Sequence, residues 1–260
     1  MDYFEKSEEF YRSFSGEKGV FGKSAEGRNL YYFCVEKTTS PTAIFQYGIH
    51  AREFVTTYLC YLQTEDFIKR GKVGRIYFIP SMNPDGVNIC LRGKPLYKAN
   101  ARRVDLNVNF DARWGEGKNN LIEKSDENYI GEYPFSEPET IALRDFTLKV
   151  MPNVTVSYHS KGEEIYYYFG QTGNALLRDA LIAQKLSEST GYKVLNPVGS
   201  VGGYKDWCVE RLKIPSFTIE VGSDEYSHPI GPSVAEEIFI KNKNVCKVVT
   251  ESIWNTAKIL

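Results

Sequence analysis

Apolar residues come along this 260-residue chain in short blocks separated by turn-forming residues, and the spacing inside each block separates strands from helices. Residues 30–35, 43–49, 75–80, 154–158, 164–169 and 216–221 are short β-branched and aromatic runs bounded by Gly, Pro, Ser or Asn, the pattern of strands. Between them, Phe54, Tyr58, Leu59, Leu62, Phe67 and Ile68 recur at near-helical spacing over residues 52–70, and Gly71 ends the run. A helix is expected from Ser136, a plausible cap with Glu139 three residues on, through Lys149, and another over residues 174–190 up to Gly191. Residues 207–212 give a shorter helix and residues 234–260 a long helical pattern with a possible interruption. Residues 1–28 read as a short helix and a turn-rich lead-in, and Asn83-Pro84-Asp85-Gly86 as a loop. Residues 91–137 are polar and too long for a plain connection, which marks them as functional or disordered. Strands alternating with helices predict an α/β sheet with helices on both faces, in one domain spanning residues 1–260.

Composition narrows the function. Acidic and basic residues number 33 and 32, so the net charge of −1 offers no attraction to nucleic acid or an anionic membrane. No apolar run approaches the roughly 20 residues that cross a bilayer. The polar, acidic start lacks the basic and apolar regions of a signal peptide, so a cytoplasmic location is expected. Cys34, Cys60, Cys90, Cys208 and Cys246 are odd in number and never paired as Cys-x-x-Cys, which fits reduced, buried thiols.

Chemistry concentrates at strand ends. The chain holds three histidines, His50, His159 and His228. His50 and Glu53 follow the second strand three residues apart, a spacing that sets side chains together on one helical turn. His159 follows residues 154–158, and Glu220 lies at the end of residues 216–221. Ligands of open α/β sheets gather at the carboxyl ends of the strands, so these four residues can meet in one cleft. Zinc takes nitrogen and oxygen ligands, and a catalytic site uses three of them with one position left for water. His50, Glu53 and His159 supply three ligands, and Glu220 the unbound carboxylate that serves as general base. Zinc lowers the pKa of a coordinated water from roughly 15.7 to about 7. Asp105 is a candidate acceptor for a ligand imidazole N–H. Lys98, Arg52, Arg102 and Arg103 carry positive charge near the polar loop, for a developing oxyanion or a substrate carboxylate, with a solvated loop face as the alternative. His228 reads as a loop residue, and Tyr166-Tyr167-Tyr168 as strand packing.

Taken in order, residues 22–28, His50-Ala51-Arg52-Glu53, Asn83-Pro84-Asp85-Gly86, Val104-Asp105-Leu106-Asn107, residues 134–140, Tyr158-His159-Ser160, Gly202-Gly203-Tyr204-Lys205-Asp206-Trp207 and Thr218-Ile219-Glu220 resemble the zinc carboxypeptidase family, carboxypeptidase A-like. The resemblance implies a mixed eight-stranded twisted sheet flanked by helices. It implies zinc on His50, Glu53 and His159, Glu220 as base, Asp105 supporting His50, and Arg52, Asn107 and Ser160 lining the substrate cleft. Three departures bear on substrate. Asn107-Val108-Asn109 lacks the arginine that clamps a peptide's C-terminal carboxylate, so the bidentate contact is gone. Lys98 stands for the oxyanion-stabilising arginine and keeps its charge without its fork. Val198 stands for a substrate-capping tyrosine.

Lys98-Ala99-Asn100, Asp105-Leu106-Asn107, residues 159–166 and Gly203-Tyr204-Lys205-Asp206-Trp207 are similar instead to the bacterial branch that cleaves γ-D-glutamyl–meso-diaminopimelate bonds in peptidoglycan peptides. Lys205 falls at the side-chain pocket, where a cation suits an acidic substrate. The expectation is therefore a zinc metallopeptidase acting on a small peptide or muropeptide. The alternatives are a deacylase of small N-acyl amino acids and a non-catalytic binding module on the same fold.

Overall fold

The computed structural model describes residues 2–196 and 199–256. Its centre is one eight-stranded mixed sheet. The strands are β1 (Glu17–Lys23), β2 (Asn29–Glu36), β3 (Thr42–Gln46), β4 (Arg75–Ile79), β5 (Val154–His159), β6 (Glu164–Tyr166), β7 (Lys193–Leu195) and β8 (Ser216–Glu220). They lie in the order β1-β2-β4-β3-β5-β8-β6-β7. The inner strands β4, β3, β5 and β8 run parallel, while β1, β2 and β6 introduce antiparallel pairings. The helices are α1 (Tyr3–Ser13), α2 (Val55–Arg70), α3 (Pro84–Leu91), α4 (Pro138–Val150), α5 (Gly173–Thr190), α6 (Tyr204–Glu210), α7 (Ala235–Asn242) and α8 (Val245–Thr256).

Burial on both faces explains why β3 reads as a continuous apolar run from Ala43 to Phe45. Along β3, Ala43 and Phe45 join a core with Leu59 of α2, Leu186 of α5, Ile238 of α7 and Val249 of α8. Ile44, pointing the other way, packs with Leu143 and Phe146 of α4, Trp207 of α6, and Leu106 and Phe110 of the long loop. Each fully buried Leu, Ile or Phe among them contributes roughly 1.5–3 kcal/mol. The same period of two divides β5: Val154, Val156 and Tyr158 enter the first core, which leaves Thr155, Ser157 and His159 on the other face. In β8, Phe217 and Ile219 enter the first core and Ser216, Thr218 and Glu220 face the other way. That face, at the strands' carboxyl ends, carries the site.

Several local expectations change. β1 reads as part of the lead-in because it shows no clean alternation of buried and exposed positions, and β7 is three residues long. Strand β6 stops at Tyr166, short of residue 169. Asn83-Pro84-Asp85-Gly86 opens α3: the Asn83 side chain accepts the Gly86 N–H at 2.9 Å, and Pro84 holds the first helical position. Turn chemistry and helix-start chemistry use the same residues here. Helix α4 starts at Pro138 with Glu137, not Ser136, at its cap, and α6 begins at Tyr204. The C-terminal pattern breaks after Asn242 into α7 and α8; residues 257–260, like Val198, lie outside the described residues. The five cysteines are all free and buried. No helix among the described residues is long and apolar enough to cross a membrane.

Candidate active site

The chain leaves β3 through Gly48 at φ +60°, a left-handed conformation that costs an L side chain. A Cβ there would also press on Ser81 and Pro80 of the neighbouring connection. This turn delivers His50 to the cap of a single 3-10 turn, Ala51–Glu53, closed by the Glu53 N–H on the His50 carbonyl at 3.1 Å. His50 and Glu53 therefore face one point. His159 ends β5 and Glu220 ends β8, and the two are direct partners in the parallel register.

These elements bring His50 Nδ1, His159 Nδ1 and the Glu53 carboxylate together, all within 4.8 Å and all buried. His50 Nδ1 lies 2.9 Å from Glu53 Oε1, His159 Nδ1 lies 3.1 Å from Oε2, and the two Nδ1 atoms are 3.1 Å apart. Two nitrogens about 2.0–2.1 Å from a shared tetrahedral zinc would stand about 3.3 Å apart, so the donor set fits that ion. Burial would raise the Glu53 carboxyl, but His50 and His159 outweigh it and hold the group well below the usual carboxylate range.

Behind His50 lies a second layer. Asp105, fully buried, sets Oδ1 3.2 Å from His50 Nε2 and Oδ2 3.1 Å from Lys98 Nζ. Oδ1 also accepts the Asn107 N–H and Oδ2 the Asn128 N–H. Burial would raise this carboxyl; Lys98 and His50 overcome that and leave it far below its ordinary value. Lys98 responds in kind, since burial lowers its pKa but Asp105 and Glu53 raise it further. A proton held on His50 Nε2 leaves the Nδ1 lone pair free for a metal. Glu220 behaves differently: burial, with Glu53 and Glu164 adding to it, pushes its carboxyl up to about 8 against the pull of His159 and Lys98. A dication at the ligand corner would draw it back down.

Glu220 opens onto a cavity of about 210 Å³ that Asn107, Tyr166, Ser200, Lys205, Asp206 and Thr218 also line. Of the substrate-side candidates, Asn107 and Lys205 thus share one wall system with Glu220. Ser160 lies at the ligand corner, donating its N–H to Glu53 Oε2 at 3.2 Å while its buried hydroxyl has no partner. Arg52 spends one nitrogen on the Leu96 carbonyl and Glu127, and its Nε is buried without a partner. Arg102 and Arg103 are half-exposed and face Glu137 and Asp126, the solvated alternative.

With this geometry in place, the comparisons with known proteins are specific. The sequence profile described as zinc carboxypeptidase matches residues 13–244. The chain belongs to the zinc carboxypeptidase family. That family is one of metallopeptidases, which are hydrolases. One curated relative, "Gamma-D-glutamyl-L-diamino acid endopeptidase 1" of Lysinibacillus sphaericus, is 29% identical over 222 residues. That alignment takes in 72% of this chain but 56% of the relative, so the chain spans little more than half its length. "Murein peptide amidase A" of Escherichia coli K12 is 29% identical over 224 residues, 80% of this chain and 83% of that one. In fold, carboxypeptidase A from Helicoverpa armigera superposes with a TM-score of 0.86 at 22% identity, covering 99% of this chain and 74% of its own.

Three further residues belong near this cluster although the sequence does not place them there. Asp206 lines the cavity beside Lys205. His228 has its Nδ1 buried and unpaired; burial lowers its pKa, Glu53 opposes, and Arg52, Lys161 and His50 add to the lowering, so it lies in the field of the ligand corner. Tyr166 also lines the cavity instead of packing a strand core, with its hydroxyl on Glu164. A lone loop histidine gives no periodic signal that could have found it.

Proposed function

We propose that the chain is a zinc-dependent peptidase hydrolysing an amide bond in peptidoglycan-derived peptides, with γ-D-glutamyl–meso-diaminopimelate as the bond cleaved. The observation that carries this reading is the meeting of His50, Glu53 and His159 with Glu220 held beside His159 by strand register. His50 Nδ1, His159 Nδ1 and Glu53 would hold a zinc ion. When bound, that ion lowers the pKa of a coordinated water from roughly 15.7 to about 7. Glu220 takes the proton and later delivers it to the leaving nitrogen, the paired roles of one carboxylate in general base and general acid catalysis. Asp105 fixes the His50 tautomer and orientation. Lys98, with donors beyond the one on Asp105, is the cation for the developing oxyanion.

The pocket supports the substrate class. Val108 replaces a guanidinium clamp for a C-terminal carboxylate, and among the described residues lining the cavity the cation is Lys205. The names of the two curated relatives, a γ-D-glutamyl-L-diamino acid endopeptidase and a murein peptide amidase, support the same class of peptide. The test is release of diaminopimelate from a γ-D-glutamyl–diaminopimelyl tripeptide by chelator-treated protein before and after zinc is returned. Zinc-dependent release is expected; zinc-loaded protein that leaves the tripeptide intact contradicts the proposal.

A further inference from the structure

Lys205 and Asp206 are neighbours at the start of α6, both more than nine-tenths buried, and both line the cavity that Glu220 also lines. Lys205 Nζ lies 2.5 Å from Asp206 Oδ1 and donates to the Tyr168 carbonyl at 3.2 Å. The Phe169 ring covers it, with its centroid 5.2 Å away. An ammonium has three donors, so one is unspent. Asp206 gives Oδ2 to the Gly203 N–H at 3.0 Å and Oδ1 to Lys205, which leaves about two of its four acceptor positions open. A buried pair of opposite charges is costly to desolvate and leaves this cavity with adjacent positive and negative points.

The leaving residue is the one that reaches this pair. On the peptidase reading Glu220 returns its proton to the leaving nitrogen, which places that nitrogen at Glu220 and the leaving residue's side chain in the cavity that Glu220 lines. A side chain ending in a carboxylate alone would meet Lys205 and be opposed by Asp206. One ending in an ammonium alone would meet Asp206 and be opposed by Lys205. Only a terminus carrying an ammonium and a carboxylate on the same carbon satisfies the two points together. The polar character continues inward: Thr218 lines the cavity, and Ser157 and Gln46 follow it in cross-strand register with their hydroxyl and amide buried and unpaired.

We propose that Lys205 and Asp206 act as a pair that recognises the zwitterionic amino-carboxylate end of the leaving residue's side chain, and so select a diamino dicarboxylic acid over a plain diamino acid. This rests on the peptidase reading above and names the feature of the substrate it selects. The Lys205–Asp206 pair is a specificity device; neither residue touches the scissile bond.

The experiment uses four γ-D-glutamyl peptides whose leaving residue is meso-diaminopimelate, lysine (ammonium only), 2-aminopimelate (carboxylate only) or norleucine (neither), assayed with the zinc-loaded chain. Wild type is expected to favour the diaminopimelyl peptide over either half-analogue by about tenfold to a hundredfold in kcat/KM, the worth of one charge-assisted hydrogen bond. Lys205→Met should lose that factor on the carboxylate-bearing peptides and leave the lysyl peptide within about threefold or improved. Asp206→Asn, which keeps an acceptor for the Gly203 N–H, should do the converse. A wild-type enzyme that cleaves lysyl and diaminopimelyl peptides equally overturns the proposal, whatever the variants do. Equal losses on all four peptides in both variants overturn it too, because a purely structural pair would act that way. If the diaminopimelyl and lysyl peptides resist wild type while other peptides are cleaved, the substrate reading itself fails and this proposal with it.

Discussion

Replacing Asp105 by Asn removes one charge and reverses the polarity of half its contacts. Each carboxylate oxygen faces two donors: His50 Nε2 and the Asn107 N–H on Oδ1, Lys98 Nζ and the Asn128 N–H on Oδ2, all at 3.1–3.2 Å. Whichever way the amide turns, its NH2 meets a pair of donors at a fully buried position. Lys98 then loses the strongest support for its charge. Truncating one partner of a buried ion pair costs about 3–5 kcal/mol; the amide keeps two of the four contacts, so about 3 kcal/mol is expected. Loss of a partner behind a ligand histidine weakens metal binding by about 10–100-fold. Denaturant unfolding of the metal-free protein measures the first effect, and zinc competition against a chromophoric chelator the second. Adding Lys98→Met should recover much of the stability, since it removes the stranded ammonium, but none of the zinc affinity. An Asp105→Asn protein that binds zinc as tightly as wild type would refute the reasoning, because His50 would then need no carboxylate behind it.

Glu220→Gln should lower turnover by about 10²–10⁴-fold and leave zinc affinity within about twofold, since Glu220 is outside the ligand group; a comparable loss of zinc would make it a ligand instead. Burial pushes the Glu139 carboxyl up to about 7 from its ordinary 4.5, so the stability it lends is complete below about pH 4.5 and is lost as pH rises through 7. Glu139→Gln should therefore flatten the fall in unfolding free energy between pH 4.5 and 7.5, by at most about 3 kcal/mol; an unchanged slope would place the titration elsewhere. A Cβ on Gly22 would stand 2.4 Å from Ala142 Cβ, so Gly22→Ala should force α4 off β1 and cost about 1–3 kcal/mol in denaturant unfolding; a neutral result would mean that helix and strand are not packed as described.

The ligand corner is legible in the sequence to the extent that local spacing determines it. His50 and Glu53 are three residues apart on one turn, and His159 and Glu220 end apolar runs with the length and composition of short buried strands. That β5 and β8 pair side by side is a long-range matter no local window contains. Where sequence pattern and structure differ, one chemistry serves two structures: Asn83-Pro84-Asp85-Gly86 is both a turn signal and a helix start. The motif around Ser24 and Arg28 belongs to the family likeness yet serves to fasten the fold, with the Ser24 hydroxyl and the Arg28 guanidinium both on buried Asp85. The Lys205–Asp206 pair was hidden for another reason. Successive residues on a helix point apart, and these two meet because Asp206 turns back to cap Gly203.

Anomalous diffraction at the zinc absorption edge from crystals of the zinc-loaded chain tests the central claim most directly. The account predicts a single strong peak bounded by His50 Nδ1, His159 Nδ1 and the Glu53 carboxylate, with Glu220 beside it and not bonded to it. Zinc bound elsewhere, or a peak that persists at this corner after His159→Ala with Glu220 as its ligand, would contradict it.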